Sequence, residues 1–210
     1  PPDSPGKRAA IAFLLRRYGD VAALDRAWGT AFRTVESLRR ATELPRLNRA
    51  AMADANAFLR LVASRYVRLC DDAIARYDPY HLNLGCRFAG RAPQPVLEAY
   101  APWKSEIVEF WRTVLGEDVS VDRGRAWADV ISFNFYGPRP PRGKLEQIYG
   151  ITGRPVCITE FSFKAMDSGL PNTRGAARPV PTQADRAEGF TRYVQLLAEM
   201  PFAVGYHWFE

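Results

Sequence analysis

Three cysteines and two histidines are all that this 210-residue sequence offers to a disulfide framework or a metal. Cys70, Cys86 and Cys157 cannot all pair with one another, and none stands in a Cys-x-x-Cys spacing. Neither a disulfide scaffold nor a zinc site is therefore indicated. His81 and His207 are too few for a histidine-rich centre, and no metal and no cofactor are expected. No apolar run approaches the ~20 residues of a membrane-spanning helix, so no membrane partner is expected. No glycine-rich phosphate loop follows a strand, which removes support for a dinucleotide-binding unit. A dense basic tail is missing too. The net charge of +6 comes almost entirely from scattered arginines, with short clusters at Arg16-Arg17 and Arg39-Arg40. That distribution gives no nucleic-acid footprint.

What remains is ordinary for a globular chain: 47% hydrophobic and 25% charged residues. The length suits one domain or a tight pair. The chain opens on Pro1 rather than Met and closes on Glu210, directly behind an aromatic run. A domain seldom stops on a strand end, so a fragment is expected at both ends.

The first third reads as helical. Ile11, Leu14, Leu15 and Tyr18 recur at helical spacing over 7–18. Gly19-Asp20 stops that helix and caps the next, which runs through Leu24 and Trp28. Residues 30–49 look like an irregular connection. From 50 to 77 the pattern predicts a long helix whose apolar stripe is Phe58, Leu61, Val62, Tyr66, Leu69, Ala73 and Ile74. Asp78-Pro79 ends it. Then the period changes. Strands are expected at 81–88, 128–136, 155–160 and 202–209, separated by helical patterns at 95–115, 145–149 and 183–200. A Gly/Pro-rich loop is expected at 165–181. This alternation predicts an α/β fold with a parallel sheet and crossover helices.

In such folds chemistry gathers at the carboxyl ends of the strands. The first strand ends in Arg87, the second in Asn134 and Tyr136, the third in Glu160, and the fourth in His207, Trp208 and Glu210. Asn134 and Tyr136 are two apart and share a face. A carboxylate, an amide, a phenol, an imidazole and an indole at one sheet edge suit a sugar. The indole stacks on apolar ring faces and the polar groups read hydroxyls. Trp28, Trp103, Trp111 and Trp127 fall on helices or connections and are expected in the core. His81, at the amino end of its strand, is expected to be structural. Glu36, Glu43 and Glu98 lie in loop or helix stretches that nothing places beside Glu160.

Gly153-Arg154-Pro155-Val156-Cys157-Ile158-Thr159-Glu160-Phe161-Ser162 resembles the nucleophile strand of retaining glycoside hydrolases with a (β/α)8 barrel. The runs 78–88, 129–136 and 205–209 resemble the fifth, sixth and eighth strands of the same enzymes. Taken together the motifs are most similar to the β-agarase type, glycoside hydrolase family 50. The resemblance implies the carboxyl-terminal half of a TIM barrel, strands five to eight, over 50–210, preceded by a helical insertion and connection over 1–49. It implies Glu160 as the nucleophile. Arg87, Asn134, Tyr136, His207, Trp208 and Glu210 are implied as substrate contacts, with Trp208 flooring the sugar subsite. The expected substrate is an oligosaccharide or polysaccharide built on β-linked galactose, such as agarose, which in turn implies a secreted or periplasmic protein. The family's acid/base Glu, usually in an Asn-Glu pair ending the fourth strand, has no counterpart here. It is expected upstream of Pro1. The competing expectation is a catalytically incomplete half-barrel that binds carbohydrate, forms a homo-oligomer, or assembles with a chain supplying the missing half.

Overall fold

The computed structural model describes residues 4–43, 46, 48–101, 105–115, 127–172 and 174–209. The elements in chain order are helices α1 (Pro5–Tyr18), α2 (Val21–Trp28), α3 (Val35–Arg40) and α4 (Arg49–Tyr77), then strand β1 (Arg87–Ala89). Helix α5 (Gln94–Leu97) runs into a 3-10 turn (Glu98–Tyr100) and is followed by α6 (Ser105–Leu115) and β2 (Ile131–Asn134). Next come α7 (Arg142–Thr152), β3 (Val156–Phe161), β4 (Phe163–Ala165), β5 (Arg178–Val180), α8 (Gln183–Ala198) and β6 (Ala203–Trp208). No helix among the described residues is long and apolar enough to cross a membrane.

The chain divides into two compact units. One holds α1, α2, α3, α4 as far as Arg65, and α6. The other takes the rest of α4 and every strand. The cut falls inside α4, whereas the sequence reading placed it at 49/50.

The helical unit is built on local signals. Ser4 and Asp20 cap α1 and α2, each accepting a backbone N–H from the first turn. Ile11, Leu14, Leu24, Trp28, Leu38 and Ala51 form its core. Asp54, 1% exposed, accepts from Tyr18 Oη and Trp28 Nε1, both at 2.7 Å, and pairs with Arg17 at 2.9 Å. Its buried charge is thus partnered. Residues 35–40, expected to be irregular, form α3, because Thr34 caps Ser37 N and supplies the start signal.

The second unit is organised by a four-stranded sheet of order β1-β2-β3-β6, parallel throughout. The predicted parallel α/β unit is therefore present. Its central strands are closed on both sides: Phe133, Val156 and Ile158 are completely buried. β6 is an edge strand, and Val204 and Tyr206 stay exposed.

Several boundaries differ from the sequence reading. Of 81–88 only Arg87 and Phe88 are strand, and the strand continues to Ala89. Gly85 sits at φ +62° and donates to Asn83 Oδ1, forming a turn that breaks the extended backbone. Residues 128–130 are held outside β2 because Asp129 and Val130 donate to the Asn83 carbonyl while Asp129 Oδ2 accepts from Asn83 N. The single helix expected at 95–115 is two helices and a turn, with Trp103 outside the described residues. Residues 165–181 are not all loop, since β4 and β5 pair in parallel across them. The expected apolar stripe of α4 is only partly buried: Leu61 is covered, but Val62, Tyr66, Leu69 and Ile74 are exposed. Trp28, Trp111 and Trp127 are buried, as expected. His81 is exposed, its ring 2.8 Å from Asp78, whose hydrogen bond raises the imidazole pKa above its ordinary value.

Candidate active site

Two neighbouring strand ends build the site. β2 and β3 run in register from Ile131↔Val156 to Phe133↔Ile158, and the next pair is Asn134↔Glu160. Thr159 is therefore the extra residue of a bulge in β3, a device that re-aims the side chains beyond it. Its hydroxyl fixes the neighbouring strand by donating to Asn134 Oδ1 at 3.0 Å and the Phe133 carbonyl at 3.3 Å. Phe135 N donates to the Glu160 carbonyl at 2.9 Å, which ties the two ends together just where the side chains diverge.

The Glu160 side chain is 13% exposed and each of its oxygens has a separate partner. Tyr136 Oη donates to Oε2 at 2.7 Å. Arg87 Nη1 lies 3.3 Å from Oε1. The carboxylate is thereby oriented from two directions, by Arg87, which opens β1 rather than ending it as expected, and by the segment after β2. Burial, then the hydrogen bond to Glu160 and its negative charge, push Tyr136 up to about 12 from 10, with Arg87 pulling the other way. The phenol therefore stays a donor through the whole neutral range. Because the folded value is raised, its contribution to stability is complete below pH 10 and is lost as pH rises through about 12. Ultraviolet titration of tyrosinate should show the Tyr136→Phe difference only near pH 12. A difference signal centred at pH 10 would refute the buried hydrogen bond.

An open cleft of about 660 Å³ lies over this carboxylate. It is lined by Glu160, Asn134, Tyr136, Phe135 and Phe209, by Arg139, Pro141 and Lys144 from the loop after β2 and the start of α7, and by Ala89, Gly90 and Ala176. Glu160 is the one carboxylate lining it among the described residues.

The structure thus brings together four of the residues singled out from sequence: Arg87, Asn134, Tyr136 and Glu160. It places two others differently. Trp208 lies on the α8 side of the sheet, its ring 5.5 Å from Phe161 and 5.4 Å from Phe190, with the Arg186 guanidinium 5.2 Å over it. Alternation along the strand turns the next residue to the opposite side, so Phe209 is the ring that lines the cleft. His207 is exposed and has no hydrogen-bond partner among the described residues. Glu210 lies outside the described residues. Sequence reasoning missed Arg139, Lys144 and Phe209. The Gly137-Pro138-Arg139-Pro140-Pro141 run, a stiffened loop at a strand end, was the available signal for the first two.

Buried parallel strands, crossover helices and an oriented carboxylate at the carboxyl ends define an α/β protein of the strand-end-site class. No family model matches the chain. Two curated proteins of Vibrio sp. (strain JT0107) do: β-agarase A, 31% identical over 217 residues, and β-agarase B, 25% identical over 213. Each alignment takes in 99% of this chain but 19% of the relative, so the chain spans roughly a fifth of their length. Among solved structures, an exo-β-agarase superposes with a TM-score of 0.78 at 27% identity, covering 97% of this chain and 25% of that one. The agarase AgWH50C gives 0.77 at 26% identity, covering 98% and 26%. Over almost its whole length the chain is thus similar to one segment of the β-agarases.

Proposed function

We propose that this chain is the nucleophile-bearing half of a glycoside hydrolase barrel that cleaves β-linked galactose-containing polysaccharide such as agarose. β1, β2, β3 and β6, neighbours in the sheet in that order, serve as strands five to eight, with residues 1–49 as a helical insertion and connection. The observation that carries the reading is the Glu160 carboxylate, fixed by Tyr136 and Arg87 at the mouth of an open cleft.

In a retaining mechanism Glu160 attacks the anomeric carbon and the leaving oxygen departs, which gives a glycosyl ester. A second carboxyl group, ~5–5.5 Å from the first, protonates that oxygen and then activates water. The cleft lining offers no such group among the described residues, and we assign it to the barrel half proposed upstream. Tyr136 and Arg87 hold the attacking oxygens in place. Asn134 and Phe209 offer a polar contact and a ring to the sugar, and His207 and Glu210 serve as contacts once the barrel is closed. The same single-carboxylate lining favours a second reading: alone, the chain binds carbohydrate without turning it over.

A fluorinated β-galactoside with an activated aryl leaving group separates these readings, because its departure needs no acid. Incubation should add one glycosyl mass to the peptide containing Glu160, detected by intact mass and peptide mapping. Galacto-oligosaccharide binding with no adduct would favour the binding reading. Absence of both would sink the two together.

A further inference from the structure

The cleft carries more positive charge than its carboxylate consumes. Arg87 already pairs with Glu160. Two further cations, Arg139 and Lys144, line the same cleft. Arg139 is exposed and has no carboxylate within ion-pair distance among the described residues. Lys144 is anchored, donating to the Gly90 carbonyl, with its ammonium 5.1 Å above the Phe135 ring. Neither contact cancels its charge. The start of α7 also faces this space through Pro141 and Lys144, and no side chain caps it, so its partial positive charge adds to the same field. A neutral galactan gives two surplus cations nothing to answer them. A negatively charged substituent on a ring seated over Glu160 does.

We infer that Arg139 and Lys144 are specificity-determining residues, and that the cleft selects galactan units bearing an anionic substituent, a sulfate ester or a carboxylate. The inference rests on the galactan reading above and narrows it. Calorimetric titration tests it, using a neutral β-galacto-oligosaccharide, its sulfated counterpart and its carboxylated counterpart against the chain, Arg139→Gln and Lys144→Gln. Both substituted side chains are exposed, so the variants should fold. The anionic sugars should bind about tenfold or more tightly than the neutral one, as charge-assisted hydrogen bonds do. Each substitution should shrink that preference and leave neutral affinity in place. The tighter of the two anionic ligands identifies the substituent. Arg192→Gln, an exposed change outside the cleft lining, should leave the preference intact. Equal affinity for neutral and anionic sugars overturns this inference and leaves the galactan reading standing. An Arg192→Gln loss as large as that of Arg139→Gln overturns it as a mere net-charge effect. Displacement of the sulfated sugar by inorganic sulfate at equal concentration overturns sugar selection. No binding of any sugar removes the galactan reading and this inference together.

Discussion

Glu160→Gln is expected to abolish the covalent adduct and to lower hydrolysis of agarose oligosaccharides by the completed barrel about ten-thousandfold or more, the scale set by removal of other enzymic nucleophiles. Gln matches Glu in shape, and its amide oxygen still accepts from Tyr136 Oη, so the strand end keeps its geometry. What it lacks is the anionic oxygen that forms the ester. The loss should therefore fall on kcat, with KM for the oligosaccharide little changed. Steady-state kinetics alongside a thermal melt checks both halves. Retention of a tenth or more of the activity by a folded variant would remove Glu160 from the reaction. Tyr136 Oη and Arg87 Nη1 act on opposite oxygens, so loss of either should do less than loss of the carboxylate.

Phe161→Ala should be the most damaging apolar truncation, costing about 3–5 kcal/mol, the range for a buried Phe. The side chain is 1% exposed. Its ring stacks on Tyr193 at 4.0 Å and 9°, and meets Trp208 edge-on at 5.5 Å and Tyr206 at 5.9 Å. It therefore joins β3 to β6 and to α8 at once. Tyr193 in turn donates to the Phe135 carbonyl at 2.9 Å, so the cavity would open directly behind the site. A domain of ordinary stability holds only ~5–15 kcal/mol in all. Urea unfolding of the two proteins measures the difference, and a loss under about 1 kcal/mol would mean that neighbouring rings collapse into the space. The same variant should slow adduct formation at Glu160, because the two residues are consecutive on one strand.

The sequence made some of this legible and hid the rest for identifiable reasons. β2, β3 and β6 stood out because short apolar runs lie between Gly or Pro punctuation, and strand-end placement pointed to Tyr136 and Glu160, whereas Arg87 opens its strand. β1 was overestimated because the apolar letters of 81–86 say nothing of the Gly85 turn, which depends on Asn83 being tied to Asp129. The α4 stripe satisfied helical periodicity, yet periodicity does not say which face is covered. Trp208 illustrates a parity error. In a strand one residue decides the side, and the register shift of β3 against β6 between Ile158 and Phe161 is invisible in composition. Arg139 and Lys144 are five residues apart with three prolines around them, and only the fold sets them in one cleft.

The sheet order also bears on how the chain finds its fold. Each parallel pairing must first close the connection between its strands, at an entropic cost that grows slowly with length. β1 and β2 are separated by residues 90–130, and β3 and β6 by 162–202, but β2 and β3 only by 135–155. Halving the loop lowers the closure cost by about 0.6 kcal/mol. The pair joined at least entropic cost is thus the pair that presents Tyr136 and Glu160.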